Sequence, residues 1–313
     1  MTTKILMLGE CMVELFQLVE NVYHQNFAGD VFNTAVYLKR SIGAAADVQF
    51  FSAIGTDLIS DKLLGAVQDE KIGTDLLLRS KTARPGLYMI NTDCFGERSF
   101  VYWRDSSAAK QVLQCMQAQE RESAVLTADW FYFSGISLAI LSPTDREQLF
   151  ALLSQLKARG CRLVFDPNYR AALWPSSEQA IDAFIRAYRL ADVALPGLDD
   201  HRLLFGDSTQ QAVLNRLQQY GVSEIVVKNG KEGALAAVAG EQFHCPAVTV
   251  KKVVDTTAAG DSFNGAYLAA RLQGLSAPQA CQYAAQLAAF VVEHTGAIVS
   301  APNFAEFQQR HPL

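Results

Sequence analysis

The chain has 313 residues, 50% of them hydrophobic and 19% charged, and a formal net charge of −5. That is enough to bury a large core, either as one α/β domain with an excursion or as two domains. The acidic balance and the lack of a Lys/Arg run disfavour nucleic acid and acidic membrane surfaces as partners. In chain order, residues 4–9 are an apolar run that reads as a first strand ending in Gly9-Glu10. The run is too short for a signal peptide, and no small-residue cleavage site follows it. Residues 12–16 read as a second, amphipathic strand. Phe27-Ala28-Gly29-Asp30 is a turn, and Asp30 can cap a helix in which Val31, Ala35, Leu38 and Ile42 recur at helical spacing. A strand at 48–54 follows, and Gly55-Thr56-Asp57 leads into a helix to about residue 71.

From Leu76 the pattern changes. Residues 87–92 and 99–104 are β-rich runs around Asp93-Cys94-Phe95-Gly96-Glu97-Arg98, a hairpin with a Gly-containing loop. It breaks the strand–helix alternation and is expected in a small sheet outside the main one. Alternation resumes with a strand at 130–133, a helix after Pro143, a strand at 162–165, a helix at 176–190, a strand at 193–195 and helices across 201–220. An apolar strand at 224–227 ends at Lys228-Asn229-Gly230. Short strands are expected at 234–238 and 242–245, and Val248-Thr249-Val250 is a β-prone run. Helices at 260–273, stopped by Gly274, and at 277–293 complete the pattern. No apolar stretch approaches the ~18 residues of a membrane span.

The cysteines (Cys11, Cys94, Cys115, Cys161, Cys245, Cys281) show no CxxC spacing. This argues against zinc and disulfides and for free thiols in a reducing cytoplasm. None has an obvious His partner, so a catalytic cysteine is not expected.

Apolar strands alternating with helices imply a parallel sheet covered on both faces, whose ligands collect at the carboxyl ends of the strands. Gly9-Glu10, Ser134-Gly135, Asp166-Pro167-Asn168 and Lys228-Asn229-Gly230 fall at such ends. So does Asp255-Thr256-Thr257-Ala258-Ala259-Gly260-Asp261, which precedes a helix whose Phe263, Ala266, Tyr267 and Ala270 share a face. Three small residues at a helix mouth leave backbone N–H groups uncovered, and the helix dipole adds positive potential, so the mouth suits an anion. Asp261 sets a carboxylate beside it. One reading is a base that takes a hydroxyl proton as a phosphoryl group arrives. The other is an acid paired with the helix dipole, and the local pattern leaves both open. A P-loop is excluded at Gly230-Lys231 because Glu232 follows. The Gly fingerprint of nicotinamide enzymes, HExxH and GxSxG are also absent.

The 255–261 stretch resembles the DTxGAGD signature of the ribokinase-like (PfkB) carbohydrate kinases. Ala28-Gly29-Asp30-Val31-Phe32-Asn33 sits where that family has GGxxxN. The similarity runs through the whole chain. Gly9-Glu10-Cys11-Met12-Val13-Glu14, Tyr102-Trp103-Arg104, Ser134-Gly135-Ile136-Ser137-Leu138-Ala139-Ile140-Leu141-Ser142 and Asp166-Pro167-Asn168-Tyr169-Arg170 are similar to the family's bacterial kinases of 2-keto-3-deoxygluconate. The resemblance implies a ribokinase-like three-layer αβα sandwich with a mostly parallel central sheet. It implies a single kinase domain over 1–313, with a β-sheet lid from about 11–28 and 86–105. In related kinases such lids pair between subunits, which admits a homodimer. A cytoplasmic enzyme using ATP and Mg2+ to phosphorylate a sugar acid at its terminal hydroxyl is expected. The alternatives are a fructokinase or other neutral-sugar kinase, and a non-catalytic sugar-acid binding protein.

The same resemblance implies roles. Asp261 is the general base, and Ala258, Ala259 and Gly260 offer backbone N–H groups to the transferred phosphoryl group. A methyl at Ala258, where the family has Gly, fits a negative φ. Arg104 and Arg170 would hold a sugar carboxylate, Tyr88 and Tyr102 would supply a ring wall and a phenolic donor, and Gly29 and Asn33 would meet sugar hydroxyls. Lys228, Gly230, Gly233 and Gly260 would contact ATP. Gly197-Leu198-Asp199-Asp200 falls at the family's magnesium-linked NxxE element with Gly for Asn and Asp for Glu, which leaves direct coordination by Asp200 open. Asp255, Thr257, Gly296, Ala297 and Ser300 match the loop where many relatives hold a monovalent cation such as K+. Each position has a plainer alternative: a surface charge for Arg104, an ion-pair partner of Asp166 for Arg170, lid packing for the tyrosines, a solvated Lys228, and a structural turn at 255–257.

Overall fold

A computed structural model describes residues 2–19, 21–92 and 98–313. The expected loop residues Asp93-Cys94-Phe95-Gly96-Glu97 lie outside the described residues. The strands are β1 (Thr3–Leu8), β2 (Met12–Val19), β3 (Val22–Ala28), β4 (Ala46–Ile54), β5 (Leu77–Arg79), β6 (Leu87–Thr92), β7 (Arg98–Trp103), β8 (Trp130–Ser134), β9 (Arg162–Asp166), β10 (Val193–Ala194), β11 (Glu224–Lys228), β12 (Ala234–Val238) and β13 (Glu241–Cys245). Nine of them form one sheet in the order β13-β12-β11-β10-β9-β8-β1-β4-β5. Pairing from β5 to β11 is parallel, and β12 and β13 add antiparallel at one edge.

The strands are apolar because both faces of this sheet are covered. Ile5 and Met7 point into one core and Leu6 and Leu8 into the other, and Tyr132 alternates with Phe131 and Phe133 in the same way. Helices Asp30–Ile42, Leu58–Asp69, Ala259–Leu272, Ala277–Val292 and Ala301–Arg310 contribute to the first core. Helices Val112–Ala118, Pro143–Ala158, Ser177–Leu190, Leu198–Phe205 and Gln210–Gln219 contribute to the second. The architecture is a three-layer αβα sandwich.

A second, four-stranded sheet has the order β3-β2-β6-β7. Met12, Ala28, Tyr88, Ile90 and Ala297 tie it to the body. Val22–Ala28 carries no strand signal in the sequence because polar His24, Gln25 and Asn26 interrupt VYHQNFA and its first three residues are exposed, so no alternation marks it. It is an edge strand held by its antiparallel pairing with β2. Val248-Thr249-Val250 is not a strand; it runs along the rim of the main cleft without a ladder partner. Asp30 does not cap its helix. Gly29 is the N-cap, with no side-chain cap bond, and the Asp30 carboxylate instead accepts from Asn168 Nδ2 at 3.1 Å. Helices Val112–Ala118 and Ala301–Arg310 were also not anticipated.

Candidate active site

The carboxyl ends of β1, β9 and β11 and the N-termini of helices Asp30–Ile42 and Ala259–Leu272 border a cleft of about 1330 Å³, with β6 and β7 above it. A pocket for one small ligand is usually ~300–1,000 Å³, so this cleft has room for two ligands side by side.

The two helices that bring the site together cross closely. At Gly265 a Cβ would fall 2.6 Å from the Thr34 carbonyl oxygen and 2.8 Å from the Leu38 nitrogen. This approach lets Asn33 Nδ2 donate to Asp261 Oδ2 at 2.9 Å, while the Gly29 N–H donates to Asn33 Oδ1 at 3.3 Å. Gly29 itself is needed for packing: a Cβ there would lie 2.1 Å from the Glu10 carbonyl oxygen. Asp261 keeps some surface toward the cleft, yet the surrounding protein strips enough water to push its carboxyl up to about 8. Burial is the main cause, Asp30 and Asp166 add to it, and the Asn33 hydrogen bond and Lys228 oppose it.

The mouth of helix Ala259–Leu272 has no side-chain cap; the Ala259 N–H donates to the Thr256 carbonyl at 3.3 Å, and the Gly260 N–H beside it suits an anion. Its N-cap is Ala258, with φ 60, in the left-handed region. The negative φ expected for a methyl-bearing residue is therefore corrected, because the chain needs a left-handed turn to enter the helix at this angle. Ala259, Gly260 and Asp261 follow inside the helix and line the cleft.

Lys228 at the end of β11 is not simply solvated. Its Nζ donates to Asn264 Oδ1 at 2.9 Å and lies 3.7 Å from Asp166 Oδ1. Asn264 Nδ2 in turn donates to Asp166 Oδ2 at 2.8 Å and to the Tyr132 hydroxyl at 3.1 Å. Burial raises the Asp166 carboxyl, against Lys228. Asp200 is raised to about 6 by burial and then by Asp166, against Arg170 and Lys228. Gly230 (φ 49) and Gly233 (φ 84) shape the turn after β11, and both line the cleft.

Arg104 is not a surface charge. Its Nη2 is ion-paired with Glu10 Oε2, and its side chain is only 11% exposed. Arg170, 55% exposed, lies 3.9 Å from Asp200 and donates to its own neighbour's carbonyl at Tyr169. Its acidic neighbour is thus Asp200, not the Asp166 weighed from sequence. The Tyr88 hydroxyl donates to Glu14 Oε2, and its ring stacks on Tyr102 with centroids 5.7 Å apart. Both rings face the cleft.

Away from the cleft floor, Asp255 accepts from the Thr257 N–H at 2.9 Å and the Gly296 N–H at 2.7 Å. The Ala297 carbonyl accepts from Tyr37. Ser300 caps helix Ala301–Arg310 through the Asn303 N–H. Thus Asp255, Thr257 and Gly296 come together, while the Ser300 hydroxyl is turned to its own helix. Among the described residues no group of three or more His, Cys, Asp or Glu is placed to hold a metal.

Sequence reasoning assigned no site role to Glu10, Asn168 or Asn264, and read Asp30 only as a helix cap. Asn264 had a signal, since it follows Asp261 by three residues and shares its helix face. Glu10 had a weaker one, a charge placed directly after an apolar strand.

The chain matches the model of the pfkB family carbohydrate kinases over residues 2–303. It is 42% identical over 303 residues to 2-dehydro-3-deoxygluconokinase of Escherichia coli (strain K12), covering 96% of this chain and 98% of that protein. It is 28% identical over 278 residues to a fructokinase of Klebsiella pneumoniae, covering 88% and 86%. Its fold matches the crystal structure of 2-dehydro-3-deoxygluconokinase from Thermotoga maritima with a TM-score of 0.84, at 20% identity and 99% coverage of each chain. A carboxylate at a helix mouth, a facing asparagine from the first helix and a match to the family model over residues 2–303 agree: the chain belongs to the pfkB family of carbohydrate kinases.

Proposed function

We propose that this protein transfers the γ-phosphoryl group of ATP to the terminal hydroxyl of 2-keto-3-deoxygluconate, giving the 6-phosphate. The carrying observation is Asp261 at an uncapped helix mouth, held by Asn33, in a cleft with room for a sugar and a nucleotide. The 42% identity to a 2-dehydro-3-deoxygluconokinase along nearly the whole chain supports the choice of sugar. The lower identity to the fructokinase makes that alternative weaker.

Asp261 takes the hydroxyl proton as the sugar oxygen bonds to the γ-phosphorus and the bond to the ADP oxygen breaks. The N–H groups of Ala258, Ala259 and Gly260 steady the negative charge that develops on the moving phosphoryl group. Asn33 aims the Asp261 carboxylate, and Gly29 holds the turn that presents Asn33. Lys228 places a positive charge near the phosphates, and Gly230 and Gly233 let the turn after β11 approach the nucleotide. Magnesium carried by the phosphates, with Asp166 and Asp200 nearby, would neutralise their charge. Arg104 and Arg170 receive the sugar carboxylate, beside the stacked Tyr88 and Tyr102 rings. The Asp255–Thr257–Gly296 loop, with Ser300 at its edge, is the place for a monovalent cation such as K+; its backbone carbonyls would be the ligands. Residues 1–313 act as one kinase unit in which the small sheet is the lid. The cytoplasm supplies ATP and keeps thiols reduced, in keeping with five free, buried cysteines among the described residues.

The test is ADP release with magnesium-ATP across keto-deoxy sugar acids, ketoses and aldoses. The sugar acid is expected to be the best substrate. Arg170→Ala is expected to cost about tenfold or more in kcat/KM with the acid and less with fructose. A wild-type enzyme that prefers fructose would overturn the sugar assignment. Tight binding of the acid without ADP formation would favour a binding protein instead.

A further inference from the structure

The mechanism leaves Glu10 unused, although it lies in the cleft wall. The residue is 1% exposed, and its ion pair with Arg104 is enclosed on both sides. The rest of its surroundings do not match it. Among the described residues, Glu10 Oε1, Arg104 Nε and Ser107 Oγ are buried without hydrogen-bond partners. The Ser107 hydroxyl sits beside the Glu10 carboxylate but forms no aligned bond with it. Gly86 makes room for the carboxylate: a Cβ there would lie 2.8 Å from Glu10 Oε1 and 3.1 Å from Arg104 Cβ. The Arg104 guanidinium also lies 6.0 Å from the Tyr102 ring centroid.

A buried ion pair with unmatched atoms contributes little to stability compared with apolar packing of the same volume. Unmatched buried polar atoms at the edge of a ligand cleft therefore call for a functional reason. Orientation supplies one. Arg104 stands just past the end of an edge strand, on a long flexible stem, and a charge-assisted bond from a fixed carboxylate holds the plane of its guanidinium. Glu10 is fixed because it follows a central strand, β1. Its Oε1 is turned to Gly86 and Ser107, so it reaches the sugar through Arg104.

We propose that Glu10 is a positioning residue that holds the Arg104 guanidinium in the orientation that receives the substrate's carboxylate. This rests on the sugar-acid role of Arg104. The experiment is a double-variant cycle on the full-length enzyme with Glu10→Ala, Glu10→Gln, Arg104→Ala and the combinations, reading kcat and KM for 2-keto-3-deoxygluconate and for ATP. Glu10→Ala is expected to raise KM for the sugar acid by about tenfold, with kcat within about threefold and KM for ATP unchanged. Glu10→Gln, which keeps an oxygen for Arg104, is expected to recover most of the loss. In the Arg104→Ala background neither Glu10 change should add to the effect. Additive losses in the double variants would overturn the proposal, as would an equal loss in kcat and in ATP binding. If Glu10→Ala fails to fold, Glu10→Met, which keeps the volume and offers Arg104 no oxygen, takes its place in the cycle. Wild-type preference for the acid over fructose tests the sugar-acid reading separately. A wild type that prefers the acid while Glu10 and Arg104 act independently overturns only this proposal.

Discussion

Ala258 holds a left-handed backbone at the mouth of helix Ala259–Leu272, where a side chain costs about 1–2 kcal/mol relative to a right-handed one. Ala258→Gly is expected to leave kcat intact and to stabilise the protein by up to about 1 kcal/mol, read by denaturant unfolding. The gain is capped because glycine also loosens the unfolded chain. Asp261 offers a test with a defined sign. A base that titrates near 8 makes kcat/KM rise with pH, with a midpoint near that value in the free enzyme. Asp30→Asn removes a charge that raises the Asp261 carboxyl, so the midpoint should move to lower pH; Lys228→Met should move it to higher pH. The same shift bears on stability. The folded carboxyl holds its proton up to about 8, and the unfolded one releases it near 3.8, so this group's contribution to stability is lost as pH rises between those values. Asp261→Asn should therefore lose roughly 10²–10⁴-fold in turnover yet melt at least ~2 °C higher at pH 8. Asp261, Asn33 and Arg104 were legible as site residues because motifs and strand ends carry them. The left-handed Ala258, the Asp166–Asn264–Lys228 network and the Glu10 pair were not. They are contacts between residues far apart in the chain, and no local spacing records them.

At the level of elements, the central strands of the main sheet were readable because burial on both faces leaves an unbroken apolar run, whereas the three-residue edge strand β5 carries no such run. Strand β3 was not readable either, since an exposed polar edge strand exists only through its partner. The crossing of helices Asp30–Ile42 and Ala259–Leu272 depends on Gly265. Gly265→Ala should force them apart, at a cost of about 1–3 kcal/mol. Activity should fall further than stability, because Asn33 and Asp261 separate. The small sheet is tied to the body by a cluster of only five buried residues, so its amides are expected to exchange with solvent faster than those of β1 or β8. Adding sugar and nucleotide should slow that exchange; measurement by hydrogen–deuterium exchange with and without ligands checks both statements.

For the whole molecule, the small sheet carries an unmatched outer face. Its register pairs Leu15 with Met89, Met89 with Val101, and Leu87 with Trp103, so these apolar side chains share the face opposite Tyr88 and Tyr102. Val101 and Trp103 are 42% and 54% exposed. A second copy of the chain would cover this face, the arrangement that the resemblance to related kinases admits. Trp103→Glu is then expected to convert a dimer into a monomer in light scattering. A wild type that is monomeric at all concentrations would remove the idea.

The hydrogen bond between Asn33 and Asp261 spans 228 positions of sequence. During synthesis, helix Asp30–Ile42 emerges early with an apolar side that helix Ala259–Leu272 and Phe304 of the last helix cover much later. β1 likewise waits for β8 before its second edge is paired. The growing chain therefore exposes apolar surface until those partners appear, and such surface is prone to aggregate through that interval. Catalytic activity is for the same reason a late reporter of refolding: fluorescence and helical signals should recover first, and phosphotransfer only when the two ends of the chain have met.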